Sequence, residues 1–444
     1  MKKGTSIVLL FLLLSVVLIA CSGNDEGTSG TGNEADDVEI IGGDSDDAVE
    51  LTFWTFQGLH VNFFEDAVLS WNEEFPDREI KLIAETYPYD NMHNNLLLAL
   101  QSGVGAPDIA DIEISRFSNF LQGDVQLLPL NNVIEPELAN FVEARLDIYS
   151  KDGNYYGLPT HVGATVMYYN KEIMDEAGVN IDDIVTWDDY VEAGLQVKEA
   201  TGKPITTIEA QDRWSFWPLI TQRQSDFFDS NGNVTADNPE NIEVLQFLKD
   251  MIHVHDIAIP TPDGRHHEEA YYGFMNDGGA ASVWMPMWYM GRFLDFMPDL
   301  KGKMEIRPLP AWEDGGFRSA GMGGTGTVVT NQTEHEQLAK DFLMYAKGSE
   351  EGNIKLWEIM GFDPPRWDVW ESDALQADNK YYQYFGDYLF DMLLDIREEI
   401  HPVTITEKTP DIDGYLNTNT YHYVLREGNQ TPEEALKEAA DHVR

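Results

Sequence analysis

Two stretches stand out for chemistry: the rings of Trp54-Thr55-Phe56 and the carboxylates of Asp111-Ile112-Glu113. Flat rings cover apolar C–H faces and exclude water, while carboxylates, arginine and histidine match groups that both donate and accept hydrogen bonds. Together they offer flat apolar surface and hydrogen-bonding groups for recognition of a ligand. Other constellations are weaker. His253 and His255 stand two apart, which on a helix sends them to different faces, and neither they nor His266-His267 complete a metal set. The glycines at 323–326 lack the Gly-Lys-Ser/Thr of a phosphate loop. With 78 acidic residues, some carboxylate pair at glycosidase spacing is inevitable and carries no weight.

The elements that must position these residues alternate. Residues 49–56 read as a buried strand, 62–75 as an amphipathic helix and 79–86 as a second strand. A helix over 89–102, stopped by Gly103 and Gly105, leads to a third strand at 107–113. Strand–helix–strand–helix–strand is a parallel pattern, and in open sheets of that kind ligands bind beyond the carboxyl ends of the strands. Trp54, Phe56 and one of Asp111 or Glu113 therefore face the expected crevice. Glu113 is favoured of the two.

Further on, 153–170 is β-rich but interrupted by Pro159 and Gly163. Thr186 is placed to cap a helix whose first turn carries Asp188 and Asp189. A helical stretch holds Trp214 and Trp217, and 241–254 reads as a helix. A strand at 280–285 breaks at Pro286 just before Trp288-Tyr289, a Gly-rich strand follows at 320–329, and helices dominate from 333 onward.

The 444-residue chain carries 29 Lys and Arg against 78 Asp and Glu, a formal charge of −49. Nucleic-acid binding needs a basic footprint, and none is present. The dispersed acid reads as adaptation of an exterior protein to high salt or high pH, keeping it soluble. Lys2 and Lys3 precede an apolar run over 7–20 that falls short of the ~20 residues a membrane-spanning helix needs. It reads as a signal peptide. Its end, Leu18-Ile19-Ala20-Cys21, resembles the lipobox of bacterial lipoproteins, which implies cleavage before Cys21 and acylation there. Cys21 is the only cysteine, so the fold rests on its cores without disulfides. Residues 21–49, rich in Gly, Ser, Asp and Glu, read as a flexible acidic tether. The roughly 400 residues beyond suit two domains.

Several segments together resemble the extracellular solute-binding proteins of carbohydrate ABC importers. They are Gly105-Ala106-Pro107-Asp108-Ile109, Tyr156-Gly157-Leu158-Pro159 with Tyr168-Tyr169-Asn170-Lys171, Ala177-Gly178 with Thr186-Trp187-Asp188-Asp189, Gly278-Gly279-Ala280-Ala281, and Gly323-Gly324. Phe53-Trp54-Thr55-Phe56, Gly58-Leu59-His60, Gly291-Arg292-Phe293 and Arg366-Trp367-Asp368-Val369-Trp370 resemble the branch of that family that binds arabino-oligosaccharides. The resemblance implies a periplasmic-binding-protein-like α/β fold (type II), with two α/β lobes closing on sugar about a hinge. It implies an N-terminal lobe at 50–162 plus 278–327 and a C-terminal lobe at 163–277 plus 328–444. The crossings are expected near 160–165, 272–277 and 325–329. It further implies a monomer that delivers an oligosaccharide to a membrane ABC permease from the extracellular face, with no cofactor, no metal and no catalysis.

The residues expected to bind ligand are Trp54, Phe56, His60, Glu113, His161, Trp214, Trp217, Trp288, Tyr289, Arg292, Gly323, Gly324 and Trp367. For each a plain structural role competes. The rings also serve as core, and one of Trp214 and Trp217 is expected to be buried. Glu113 and Arg292 also serve in ion pairs, and the two glycines in turns. Trp187 is assigned to core. The competing functions are capture of a xylo-, galacto- or malto-type oligosaccharide, a sensory sugar receptor, and a secreted glycosidase.

Overall fold

A computed structural model describes residues 35–43 and 45–444. The expected signal peptide, the expected lipid-attachment residue Cys21 and the expected tether as far as residue 34 lie outside the described residues.

Strand Val49–Thr55 buries Leu51, Phe53 and Thr55 in alternation. It pairs in parallel with Ile80–Thr86 and with Ile109–Glu113. Between them run helices Gly58–Glu74 and Tyr89–Ser102. The first buries Val61, Phe64, Val68 and Trp71, the three-to-four spacing of one helical face. The second stops at Gly103, whose φ of 76° is the left-handed cap that glycine adopts without penalty. The expected β-α-β-α-β run is therefore present, and strand Thr325–Val329 inserts antiparallel between Ile109–Glu113 and Gly157–Pro159.

The sheet gains one strand that composition hides. Asp37–Gly42, expected within the tether, pairs antiparallel with Ile80–Thr86 along its whole length. Only Ile41 is buried, so backbone hydrogen bonds rather than apolar burial hold this edge.

The second sheet centres on Thr165–Asn170, every residue of which is buried. Ser282–Pro286 and Met304–Arg307 flank it, both antiparallel. Of the stretch 278–327 expected beside the first sheet, only its end at Thr325–Val329 pairs there. Residues 336–362 also depart from expectation. Ala339, Phe342, Leu343, Leu356 and Met360 pack with Val61, Phe64 and Trp71 in the first core. Trp357 of the same stretch reaches into the second core against Tyr382 and Phe390, and from Val369 and Trp370 the chain stays there to Val443. The chain thus passes between cores at 159–161, 323–324 and 363–368. The crossing expected at 272–277 falls instead on helix Glu269–Asn276, which buries Tyr271, Tyr272 and Met275 in the second core. Thr186 caps its helix in a reciprocal capping box with Asp189, and Trp187 is buried core, both as expected.

Candidate functional site

The carboxyl ends of the first sheet hold a buried polar network. Asp111 accepts from Thr55 at 2.9 Å and Thr327 at 2.5 Å, and its Oδ2 lies 2.7 Å from His60 Nδ1. Lys347 donates to Thr160 and Thr327. Burial pulls the Lys347 ammonium down to about 8, against the opposing pull of Asp111. Every hydrogen-bonding group named here has a partner.

Beside it stands a row of rings. Trp288 is half-buried and packs against both cores. Its indole lies 4.9 Å from Trp214, 5.6 Å from the stacked imidazole of His267 and 6.4 Å from His161. Gly323 makes this possible: with φ at 77°, a Cβ there would meet Trp288 Nε1 at 2.9 Å and Trp214 at 3.3 Å. Gly324 backs onto Arg145 and Tyr149, and the Gly323 carbonyl accepts from Arg145 Nη2 at 2.6 Å.

From Trp214 the row continues to Arg213, whose guanidinium lies 5.0 Å from that indole. Arg213 reaches Glu113 at 3.2 Å on the first sheet and Asp413 at 2.6 Å on a C-terminal helix. Burial pushes Glu113 upward, but Arg213 and the hydrogen bonds from Ser115 and Tyr89 outweigh it and hold this carboxylate below its ordinary value. Asp413 is pushed up to about 6 by burial despite Arg213. A second bridge joins Arg292 Nη1 to the Gln57 amide oxygen at 3.0 Å, once that amide is oriented to accept.

Around this row, buried polar atoms lack protein partners: Arg145 Nε and Nη1, Tyr149 OH, His161 Nδ1, Arg213 Nε, His267 Nε2, Asp363 Oδ1 and Asp413 Oδ1. Burial lowers His161 and His267 well below the ordinary imidazole value, so both rings are neutral at pH 7. Neutral rings offer one donor and one acceptor each. Rings with unmet hydrogen-bonding capacity between two cores suit a polar, ring-bearing ligand.

Residues 57–353 match the model of the bacterial extracellular solute-binding protein family. The chain belongs to that family. A protein of Halalkalibacterium halodurans named arabinooligosaccharide-binding protein is 65% identical over 92% of each chain. One of the same name from Bacillus subtilis is 51% identical over 100% of each. Among solved structures, an ABC-transporter-associated binding protein of B. animalis subsp. lactis, in complex with beta-1,6-galactobiose, superposes with a TM-score of 0.74. It shares 21% identity and covers 89% of this chain and 96% of its own. Maltose-bound MalE3 of T. maritima gives 0.72 at 20% identity, over 89% and 99%. The fold is that of the periplasmic binding proteins.

In this solute-binding protein the residues expected at the site divide. Trp288, Trp214, His161, Gly323 and Gly324 come together, and Glu113 and Arg292 join from either side. Phe56 sits at the edge, 5.3 Å from Tyr89, which donates to Glu113. His60 belongs to the satisfied network. Trp217 is core: it is fully buried, donates to Asp226 at 2.8 Å and packs on Phe227. Tyr289 is core as well, its hydroxyl donating to the His266 carbonyl. Trp54 packs against Tyr87 at 5.1 Å, away from the row. Trp367 packs on Trp370 at 5.0 Å beside Arg397 and Glu371, also away from it. Arg145, Arg213, His267, Asp363 and Asp413 were not anticipated. The His266-His267 pair did stand out, although for metals rather than for stacking.

Proposed function

We propose that this solute-binding protein captures an arabino-oligosaccharide between two α/β lobes, closes over it and presents it to a membrane ABC permease without altering a covalent bond. The ligand stacks on Trp288 and Trp214 and takes hydrogen bonds from the groups around them. Acylated Cys21 holds the protein on the extracellular face. What supports the ligand most directly is the name shared by two relatives that match nearly full length, at 65% and 51% identity. The row of rings supports the mode of binding.

Calorimetry and tryptophan fluorescence against arabino-, xylo-, malto- and galacto-oligosaccharides test the reading. The expected result is one ligand per chain, tightest for the arabino series, with the sugar recovered intact. Tighter binding of another series replaces the ligand, and shortened products replace the receptor by a glycosidase. Cys21→Ser is expected to release the protein from the cell surface into the medium.

A further inference from the structure

The run from Thr409 to Arg426 is continuous helix with an unusual middle. An α-helical start, Thr409–Tyr415, passes into π turns at Leu416–Thr420 and His422–Arg426. π turns are rare and recur at functional sites, because the wider turn re-aims side chains. Besides the apolar Leu416, Val424 and Leu425, the run turns polar side chains inward, from Asp413 in its α-helical start to Tyr421 between the two π turns. Asp413 Oδ1, Asn417 Oδ1, Thr420 Oγ1 and Tyr421 OH are all buried without a protein partner. Asp413 and Tyr421 are themselves more than nine-tenths buried. Asp413, Asn417 and Tyr421 recur every four residues, which keeps them on one side of the helix. Tyr421 lies in the field of Asp413, Asp212, Arg213 and Glu209, so that side faces the Arg213 end of the ring row. Phe216 packs edge-on against Tyr421 at 5.9 Å.

A buried hydroxyl without a partner is costly, and a helix that turns several toward one place needs something there to bond them. The charge is already spoken for, since Arg213 is shared between Glu113 and Asp413. The unmet capacity is that of hydroxyl, amide and carboxylate oxygens, which suits neutral hydroxyls rather than an anion. The side chains Trp288, Trp214, Arg213 and Asp413 touch in sequence, a row longer than a single sugar ring.

Resting on the oligosaccharide reading above, we infer that the helix face of Asp413, Asn417 and Tyr421 is a second sugar subsite, which binds a unit beyond the one stacked on Trp288 and sets the preferred ligand length. Asp413 and Asn417 accept from that unit's hydroxyls, Tyr421 donates to it, and Arg213 joins the two subsites.

The test is calorimetric titration of the full chain, wild type, Tyr421→Phe and Asn417→Ala, with arabino-oligosaccharides of two, three and four units. Thr418→Ala, on the solvent side of the same helix, serves as control. The wild type is expected to tighten with length. Tyr421→Phe removes only an unpartnered hydroxyl, so its melting temperature without sugar holds or rises. It should nonetheless lose roughly three- to tenfold affinity for the longest ligand, the scale of one neutral hydrogen bond, and less for the shortest. Asn417→Ala should behave alike and Thr418→Ala should not. Equal losses at every length, or none, overturn the subsite. A wild type that binds no arabino-oligosaccharide overturns the ligand reading instead. The same variants are then titrated with the length series that does bind, where the subsite makes the same demand.

Discussion

Two polar clusters lie side by side at the junction of the cores, and they are built on opposite principles. Around Asp111, every buried group has its partner: Thr55, His60 and Thr327 on the carboxylate, Thr160 and Thr327 on Lys347. Around Trp288 and Arg213, buried nitrogens and oxygens are left over on Arg145, Tyr149, His161, His267, Asp363 and Asp413. Each cluster includes carboxylate, cation and histidine, so composition does not separate them. Satisfaction does. A closed network ties together strands Val49–Thr55, Ile109–Glu113 and Thr325–Val329 and has nothing left for a ligand. An open one has capacity in reserve, and beside the half-buried Trp288 ring that capacity is available to a ligand.

The largest effects should come from the closed cluster and from the second core, and should leave binding alone. Asp111→Ala strands the buried Lys347 ammonium without its counter-charge, a loss on the order of 3–5 kcal/mol in urea unfolding. Trp217→Ala empties a fully buried site and should cost a similar ~3–5 kcal/mol. In both, the folded fraction should bind sugar with wild-type affinity. A tenfold loss of affinity in either would erase the distinction between the clusters.

A smaller effect is pH-dependent. Lys347 titrates at about 8 in the folded protein against an ordinary 10.5. Between those values the unfolded chain binds the extra proton, so this residue makes stability rise with pH across that window. The penalty for the buried charge is complete below pH 8 and relieved as pH approaches 10.5. Wild type is therefore expected to gain on Lys347→Met between pH 8 and 10, by up to about 3 kcal/mol at 1.4 kcal/mol per unit. Taking the difference between the two proteins removes the contribution of the buried tyrosines. A difference that stays flat with pH would mean that the ammonium keeps its charge, held by Asp111.

Much of this was legible in the sequence, and the exceptions have physical causes. The first sheet could be read because the buried Leu51 and Phe53 alternate with less buried positions and Gly103 stops a helix where it should. Strand Asp37–Gly42 could not, since Val38 and Ile40 point to solvent and its pairing is backbone alone. Strand Ser282–Pro286 was legible as a strand but not as a partner of Thr165–Asn170, because a strand's pattern does not name the sheet edge it fills. At the site, Trp288 was legible from its place after Pro286. Tyr289, one residue on, turns into the core, and Trp214 and Trp217 divide because the helix begins only at Trp217. Arg213, Glu113 and Asp413 meet across separations of 100 and 200 residues, which no local spacing records.

The smallest effect bears most directly on the open cluster. Trp288 is half-buried, so Trp288→Ala removes less core than Trp217→Ala and should lower the melting temperature less. Its ring touches both cores and faces His161, Trp214 and His267 at 4.9–6.4 Å. Stacking on a sugar face should be worth about 1 kcal/mol or somewhat more, close to tenfold in affinity, by analogy with ring–ring contacts. Trp288→Phe keeps a flat face and should recover part of that loss, which a role in core filling alone would not produce. Were Trp288→Ala to lower the melting temperature as far as Trp217→Ala while leaving affinity unchanged, the ring would belong with the satisfied core, and the open cluster would lose its stacking platform.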